Sequence, residues 1–206
     1  MDPADSGRAG SKVTLWVDPV CPFSWNTARW LCAVADKTGM AVDWQLMSLA
    51  VLNEGRELPA PQQARMRDSQ QVGRLMVAIA REKGTAGWTA AYFAFGERYF
   101  DGSAPLDDSL VAHVLAAAGA LDTAASVVSD ASLDEVVRRG HQEAQDALGE
   151  TGGSPILRVD GHAFFGPVLT AVPDAEDSVA LFDAIATMGA VPQFAQLQRP
   201  RTRAQL

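Results

Sequence analysis

A short apolar run that ends just before a cysteine at the start of a helix is the feature that most limits how this chain folds. Val13 to Val17 is β-branched, aromatic and aliphatic, too short for a helix and apolar enough for a buried strand. Pro22 follows Cys21 and stands where the first residue of a helix belongs, a position at which its missing N–H is tolerated. Apolar residues then recur at helical spacing until Gly39, which ends the helix. This order predicts an α/β domain with a thiol at a helix N-terminus.

The remaining pattern places helices between two pieces of sheet. A second strand is predicted at 42–47, and strand signal then nearly disappears until 155–159. There, Asp160-Gly161 predicts a hairpin turn into a return strand, and a last helix is predicted at 175–188. The order β-α-β, helices, β-β-α predicts a thioredoxin-like core with an all-helical insertion. The expected boundaries are 12–60 and 150–190 for the core, 61–149 for the insertion, 1–11 for a flexible N-terminal tail and 191–206 for a C-terminal tail.

Glycines divide the helical insertion into separate helices. Gly84 separates the first two predicted helices, and Gly119 ends the third. The four predicted helices are 62–83, 87–100, 107–118 and 132–148.

Charge and termini limit the partners of this chain. There are 17 Lys and Arg residues against 25 Asp and Glu, a net charge of −8, which argues against nucleic acid or an anionic membrane as the main partner. No stretch of about 18 apolar residues exists to cross a membrane. Met1 to Gly7 has neither the basic start nor the apolar centre of a secretory signal, so a cytoplasmic protein with free thiols is expected. The oligomeric state stays open, a homodimer included.

Cys21 is the candidate nucleophile because of its position. The N-terminus of a helix offers unpaired N–H groups and the positive end of the helix dipole, and both favour the thiolate. The alternative is a cysteine that only fills space near the end of a strand. Dithiol redox proteins usually carry a second cysteine three residues later, and here that position is Ser24. Because a hydroxyl cannot resolve a mixed disulfide, the pattern predicts a monothiol site.

Cys32 does not replace the missing second thiol. It lies 11 residues after Cys21, about 16 Å of rise along one helix, whereas bridged cysteines have Cα atoms within about 7 Å. It shares a row of small residues with Ala28 and Ala35, which is typical of packing. Two cysteines also cannot build a disulfide framework or a cysteine-rich zinc site, and no metal site is predicted. The second thiol must therefore come from another molecule.

Four segments resemble one branch of the thioredoxin superfamily. Together they span most of the chain, and they resemble the DsbA-like family, most closely the actinobacterial mycothiol-dependent nitroreductases. The segments are Asp18-Pro19-Val20-Cys21-Pro22-Phe23-Ser24-Trp25 with Ala28-Arg29-Trp30, Met47 to Glu54, Ala163-Phe164-Phe165-Gly166-Pro167-Val168-Leu169, and Arg199 to Arg203.

The resemblance implies roles for particular residues. Cys21 would be the nucleophilic thiol with Ser24 beside it, and Ser154-Pro155 would be a cis-proline element facing the thiol. A cis bond would turn the backbone of Ser154 toward the thiol, where it could hold an extended thiol substrate. The residues that would bind the thiol or substrate are Pro22, Phe23, Trp25, Asn53, Ser154 and Pro155; for Trp25, packing in the core is an equal alternative.

Three functions fit these residues. The first is a thiol oxidoreductase that uses mycothiol, or a glutathione-like thiol, to reduce or conjugate a small nitroaromatic or quinone-like electrophile. The second is a thiol-dependent isomerase or transferase without net redox change. It follows from Ser24, because a serine at the start of the active-site helix resembles the kappa-class glutathione transferases and 2-hydroxychromene-2-carboxylate isomerases. The third is a binding module without activity.

Overall fold

A mixed sheet of four strands forms the centre of this computed structural model, which describes residues 10–200. The strand order is β2–β1–β3–β4. β1 pairs in parallel with β2 and antiparallel with β3, and β3 pairs antiparallel with β4. The strand bounds are Val13–Val17 for β1, Val42–Leu46 for β2, Ile156–Val159 for β3 and His162–Phe165 for β4.

Six α-helices and three shorter helical segments connect and cover the sheet within the described residues. The α-helices are α1 (Pro22–Thr38), α2 (Leu49–Leu52), α3 (Ala60–Gly96), α4 (Asp108–Ala118), α5 (Asp134–Leu148) and α6 (Ala175–Gly189). A π-helical segment spans Glu97–Asp101, and 3₁₀ turns span Ala125–Ser129 and Ala131–Leu133.

The predicted α/β architecture is confirmed, including its turns. Asp160 and Gly161 both have positive φ, 49° and 91°, as a two-residue hairpin turn of this kind requires. Gly84 breaks the regular dihedrals of α3 with φ 65° and ψ −160°, where the sequence separates two helices. The short helix α2 and the two 3₁₀ turns carry too little periodicity to be predicted, because each is five residues or shorter.

Helices cover both faces of the sheet. Leu15 and Val17 of β1 share a core with α1 and α6, whereas Trp16, which points to the opposite face, packs with Met47 and with Ala144 of α5. Within the predicted insertion, 61–149, α5 packs with the sheet and α3 contacts β2. α3 and α4 pack closely on each other.

One buried ion pair joins α5 to α3 within the insertion. Arg74 of α3 donates from Nε and Nη2 to the two carboxylate oxygens of Asp134, at 2.7 and 2.9 Å, and from Nη1 to the carbonyl of Val128 at 3.1 Å. The Arg74 side chain is only 11% exposed. The hydrogen bond from Arg74 lowers the pKa of Asp134, so the pair stabilises the fold above the ordinary aspartate pKa and is lost as the pH falls through the lowered value.

An Asp134→Ala variant is expected to lose about 2 kcal/mol of unfolding free energy, because it leaves the charge of Arg74 buried without its partner. Partial exposure of the carboxylate keeps the loss below that of a fully buried ion pair. Urea unfolding followed by circular dichroism measures the loss. The matched control is Arg138→Ala, which removes a surface ion pair with Glu54 and should leave the urea midpoint unchanged. Equal midpoints for the two variants would contradict the assignment.

The ends of the chain are described in part. Ser11 and Lys12 donate hydrogen bonds to the carboxylate of Asp160, which fastens the chain just before β1. Residues 1–9 of the predicted N-terminal tail, and 201–206 of the C-terminal tail, lie outside the described residues. None of the helices within residues 10–200 combines the length and the apolar character needed to span a bilayer.

Candidate active site

Cys21 lies where the sequence places it, between β1 and α1. It occupies the N-cap of α1 in an extended conformation (φ −85°, ψ 115°), and its N–H donates to the carbonyl of Asp18 at 3.1 Å. Its thiol donates toward the carbonyl oxygen of Ser154, 3.4 Å away. Only 4% of the residue is exposed. The cysteine therefore faces the loop before β3, although the two segments are more than 130 residues apart in sequence.

Ser154 and Ser24 meet beside the thiol. The Ser154-Pro155 peptide bond is cis, as the family resemblance implied. The hydroxyl of Ser154 accepts a hydrogen bond from the N–H of Asp18 at 2.8 Å and shares a second one with the hydroxyl of Ser24 at 2.5 Å. Ser24 is fully buried, and its hydroxyl also hydrogen-bonds the thiol of Cys21 from the position where a dithiol site has its second cysteine.

The acidity of Cys21 is set mainly by its burial. Burial raises the pKa of this thiol, the hydroxyl and N–H of Ser24 lower it, the charge of Asp18 raises it and the N–H of Phe23 lowers it. The groups at the helix start thus act in the predicted direction, but burial outweighs them.

A buried carboxylate lies under the same loop and was missed as a site residue from sequence. Asp18, at the end of β1, is 0% exposed. Its carboxylate accepts hydrogen bonds from the N–H of Val20 at 2.8 Å, from the N–H of Leu49 at 2.6 Å and from the hydroxyl of Ser69 at 2.5 Å. Burial raises the pKa of Asp18, and these three hydrogen bonds oppose the rise. A lone acidic residue at a strand end was the only available signal, and nothing in the sequence points to Ser69.

Partly exposed residues form the rim around Cys21. Pro22 and Phe23 open α1 next to the thiol and are half-buried. The segment after β4 crosses the start of α1, because Thr27 donates to the carbonyl of Pro167 at 2.7 Å and Asn26 donates to the carbonyl of Leu169 at 3.0 Å.

Trp25 packs in the core between α1 and the insertion. It is 3% exposed, its ring lies 5.8 Å from that of Phe93 and 6.1 Å from that of Phe100, and its Nε1 donates to Asp101 at 3.2 Å. A Cβ on Gly96 would lie 2.4 Å from the ring, so only glycine allows α3 to approach this closely. The packing role that the sequence left open for Trp25 is observed, and contact of Trp25 with a bound thiol stays a prediction.

Asn53 is connected to Asp18 through the short helix α2. It ends α2, is half-buried, and donates from Nδ2 to the carbonyl of Leu49 at 2.8 Å and toward the sulfur of Met66 at 3.6 Å. Since Leu49 also donates to Asp18, Asn53 is joined to the Cys21 loop through two hydrogen bonds. Contact with a bound thiol stays a prediction.

Cys32 does not take part in the site. It lies along α1, which is continuous from Pro22 to Thr38, and both cysteines are free. Burial, with a smaller effect from the charge of Asp36, raises the pKa of Cys32 to about 11. The predicted separation of the two thiols is therefore confirmed.

Other candidate sites lie away from Cys21. Within residues 10–200, no three His, Cys, Asp or Glu side chains gather as they would around a metal ion. An open groove of about 630 Å³ lies between Arg81 and Asp130, and another of about 490 Å³ lies between Trp16 and Glu143. Neither groove is lined by Cys21, Ser24 or Ser154.

A thioredoxin-like sheet, a helical insertion between β2 and β3, and a helix-start cysteine facing a cis-proline define the DsbA-like class of thiol proteins. Solved structures with this fold include a probable DsbA oxidoreductase, SCO1869, from Streptomyces coelicolor (20% identity, 92% of this chain and 94% of that chain, TM-score 0.57). They also include a 2-hydroxychromene-2-carboxylate isomerase (19% identity, 86% and 94%, TM-score 0.56).

The sequence comparisons narrow this class to one family. Residues 20–199 match the family model described as Rv2466c-like, mycothiol-dependent nitroreductase Rv2466c, so the chain belongs to the Rv2466c-like family. It is also 30% identical over 197 residues to the uncharacterized protein Rv2286c of Mycobacterium tuberculosis, a match that covers 91% of this chain and 81% of the relative. The protein is therefore a thiol-dependent enzyme.

Proposed function

We propose that this protein is a monothiol oxidoreductase in which Cys21 and mycothiol together reduce a small electrophile such as a nitroaromatic compound or a quinone. The observation that carries the proposal is the pairing of Cys21 with Ser24 and the Ser154-cis-Pro155 loop, in a chain of the mycothiol-dependent nitroreductase family. A cytoplasmic location, where a reduced small thiol is abundant, agrees with this proposal.

The proposed cycle has two steps and balances without a second protein thiol. In the first step Cys21 and one mycothiol thiol form a mixed disulfide and give up two electrons and two protons. A nitro group that takes these up becomes a nitroso group and water, and a quinone becomes a hydroquinone. In the second step another mycothiol thiolate attacks the mycothiol sulfur of the mixed disulfide, and Cys21 leaves as a thiolate that takes up a proton. Two mycothiol molecules are thereby converted to one mycothiol disulfide.

The residues around Cys21 suit this cycle. The carbonyl of Ser154 lies beside the sulfur, where it can accept a hydrogen bond from the N–H of the thiol substrate. Ser24 donates to the thiolate that leaves in the second step and cannot attack the mixed disulfide. Release of Cys21 then depends on a second mycothiol.

Mass spectrometry of the intact protein tests the proposal. After incubation with mycothiol disulfide, wild-type protein should gain the mass of one mycothiol on Cys21, and added mycothiol should remove it. Glutathione disulfide is the comparison that identifies the preferred thiol. If Cys21 gains no adduct from either disulfide, the proposed cycle is wrong.

Ser24 favours a second candidate function without net redox change. A buried serine hydroxyl at the start of α1 can orient a bound thiol that adds to an electrophile and leaves again, as in an isomerase or a transferase. An assay with nitrofurazone, mycothiol, mycothiol disulfide reductase and NADPH separates the two functions. Consumption of NADPH in step with loss of the nitro group supports the reductase, whereas unchanged NADPH during conversion of a test substrate supports the isomerase or transferase.

A further inference from the structure

The loop that carries the cis-proline is held at its start by two side chains of α5. Gln145 accepts a hydrogen bond through its Oε1 from the N–H of Gly152, at 2.7 Å. Because the loop presents a donor, the oxygen of the Gln145 amide, and not its nitrogen, faces the loop. One turn further along α5, Leu148 lies against the same residue, since a Cβ on Gly152 would overlap the Cδ2 of Leu148. The helix therefore fixes Gly152 by one polar and one apolar contact.

The same loop reaches the thiol two residues later. The carbonyl oxygen of Ser154 lies 3.4 Å from the Sγ of Cys21. Two glycines, Gly152 and Gly153, lead into Ser154, and glycine permits more backbone conformations than any other residue type. The direction of the Ser154 carbonyl therefore depends on where the preceding glycines are held, and Gln145 holds the first of them.

We propose that Gln145 is a positioning residue that aligns the carbonyl of Ser154 with an amide N–H of the thiol substrate. This inference rests on the proposed function, in which that carbonyl accepts a hydrogen bond from the bound thiol. A glycine pair without an anchor lets the carbonyl take several directions, and only some of them accept this bond. Gln145 therefore favours thiols that carry an amide N–H close to the sulfur, and it has no effect on thiols that lack one.

Disulfide exchange with two neutral probes tests this role without mycothiol. The disulfide of N-acetylcysteine methyl ester carries an amide N–H close to each sulfur, and bis(2-hydroxyethyl) disulfide carries none. In each reaction the Cys21 thiolate attacks one sulfur of the probe, forms a mixed disulfide and releases the other half of the probe as a thiolate. The rate of adduct formation is measured by intact mass spectrometry in a Cys32→Ala background, so that one thiol reacts.

Gln145→Met keeps an unbranched side chain of similar length and removes the amide oxygen that Gly152 needs. It should slow exchange with the amide probe about fivefold, the effect of one lost hydrogen bond, and leave exchange with the hydroxyethyl probe unchanged. Gln145→Glu keeps an oxygen within reach of Gly152 and should restore the rate. Gln142→Met is the matched control, because Gln142 is exposed on α5 and donates to Asp146, so neither rate should change.

The difference between the two probes separates this role from a structural one, because a loosened loop changes both rates together. Equal effects of Gln145→Met on the two probes, no effect on either, or a Gln145→Glu variant that stays slow would overturn the inference. If Gln145→Met does not fold, Gln145→Asn, which keeps the amide on a shorter side chain, decides by the same comparison. A mycothiol adduct on wild-type Cys21 with equal effects on both probes removes only this inference. The expected difference between probes without any mycothiol adduct removes only the proposed function.

Discussion

A Cys21→Ser variant is expected to lose more than about a thousandfold of the mycothiol-dependent reduction rate, because its hydroxyl is neither a thiolate nor able to form a mixed disulfide. Serine differs from cysteine by one atom and fits the N-cap of α1, a position that serine favours. The loss should therefore appear in turnover, with the urea unfolding midpoint close to that of the wild type. The measurement is NADPH consumption in the assay with nitrofurazone, mycothiol and mycothiol disulfide reductase.

Cys32→Ala is the control for this prediction. Cys32 lies on the same helix, its pKa is raised to about 11 by burial, and its neighbours Ala28 and Ala35 leave room for alanine. Full activity in Cys32→Ala, with none in Cys21→Ser, assigns the chemistry to one thiol. A Cys21→Ser variant that keeps a tenth or more of the activity would show that mycothiol acts on the electrophile directly, with the protein only binding both.

The sequence predicts the fold and the placement of the thiol because their signals are local. Val13 to Val17 is apolar enough to identify a strand, Pro22 identifies a helix start, and the two together place Cys21. The cis form of Ser154-Pro155 came from family resemblance, since most bonds before proline are trans. Segments with a strong local pattern were therefore predicted from the residues alone, and the cis-proline was predicted from the family resemblance.

The surroundings of the thiol depend on contacts between residues that are far apart in the sequence. Asp18 and Ser69 are 51 residues apart, and their hydrogen bond exists only because α3 packs over the end of β1. The acidity of Cys21 is the clearest example. The groups at the helix start lower its pKa as expected, but burial, a property of the whole fold, raises the pKa by more. Local reasoning thus identified the groups at the helix start but not the burial that opposes them.

A Ser24→Cys variant should convert the monothiol site into a dithiol site. Residue 24 lies one helical turn after Cys21, and its side chain already reaches the thiol, since the Ser24 hydroxyl lowers the pKa of Cys21. A cysteine there can attack the Cys21 sulfur of a mixed disulfide and release mycothiol, leaving a disulfide between residues 21 and 24. Because this attack is intramolecular, the lifetime of the mycothiol adduct should fall by about a hundredfold or more.

The measurement is rapid mixing with mycothiol disulfide, followed by acid quenching and intact mass spectrometry. It follows the mycothiol adduct of Ser24→Cys and the loss of two hydrogens that marks the internal disulfide. Ser24→Ala is the matched control: it removes the same hydroxyl and its bond to Ser154 but supplies no thiol, so its adduct should last as long as in the wild type. An adduct that persists equally in both variants would mean that the buried side chain at residue 24 cannot reach the sulfur of Cys21. In that case geometry, rather than the missing second cysteine, makes this enzyme depend on an external thiol.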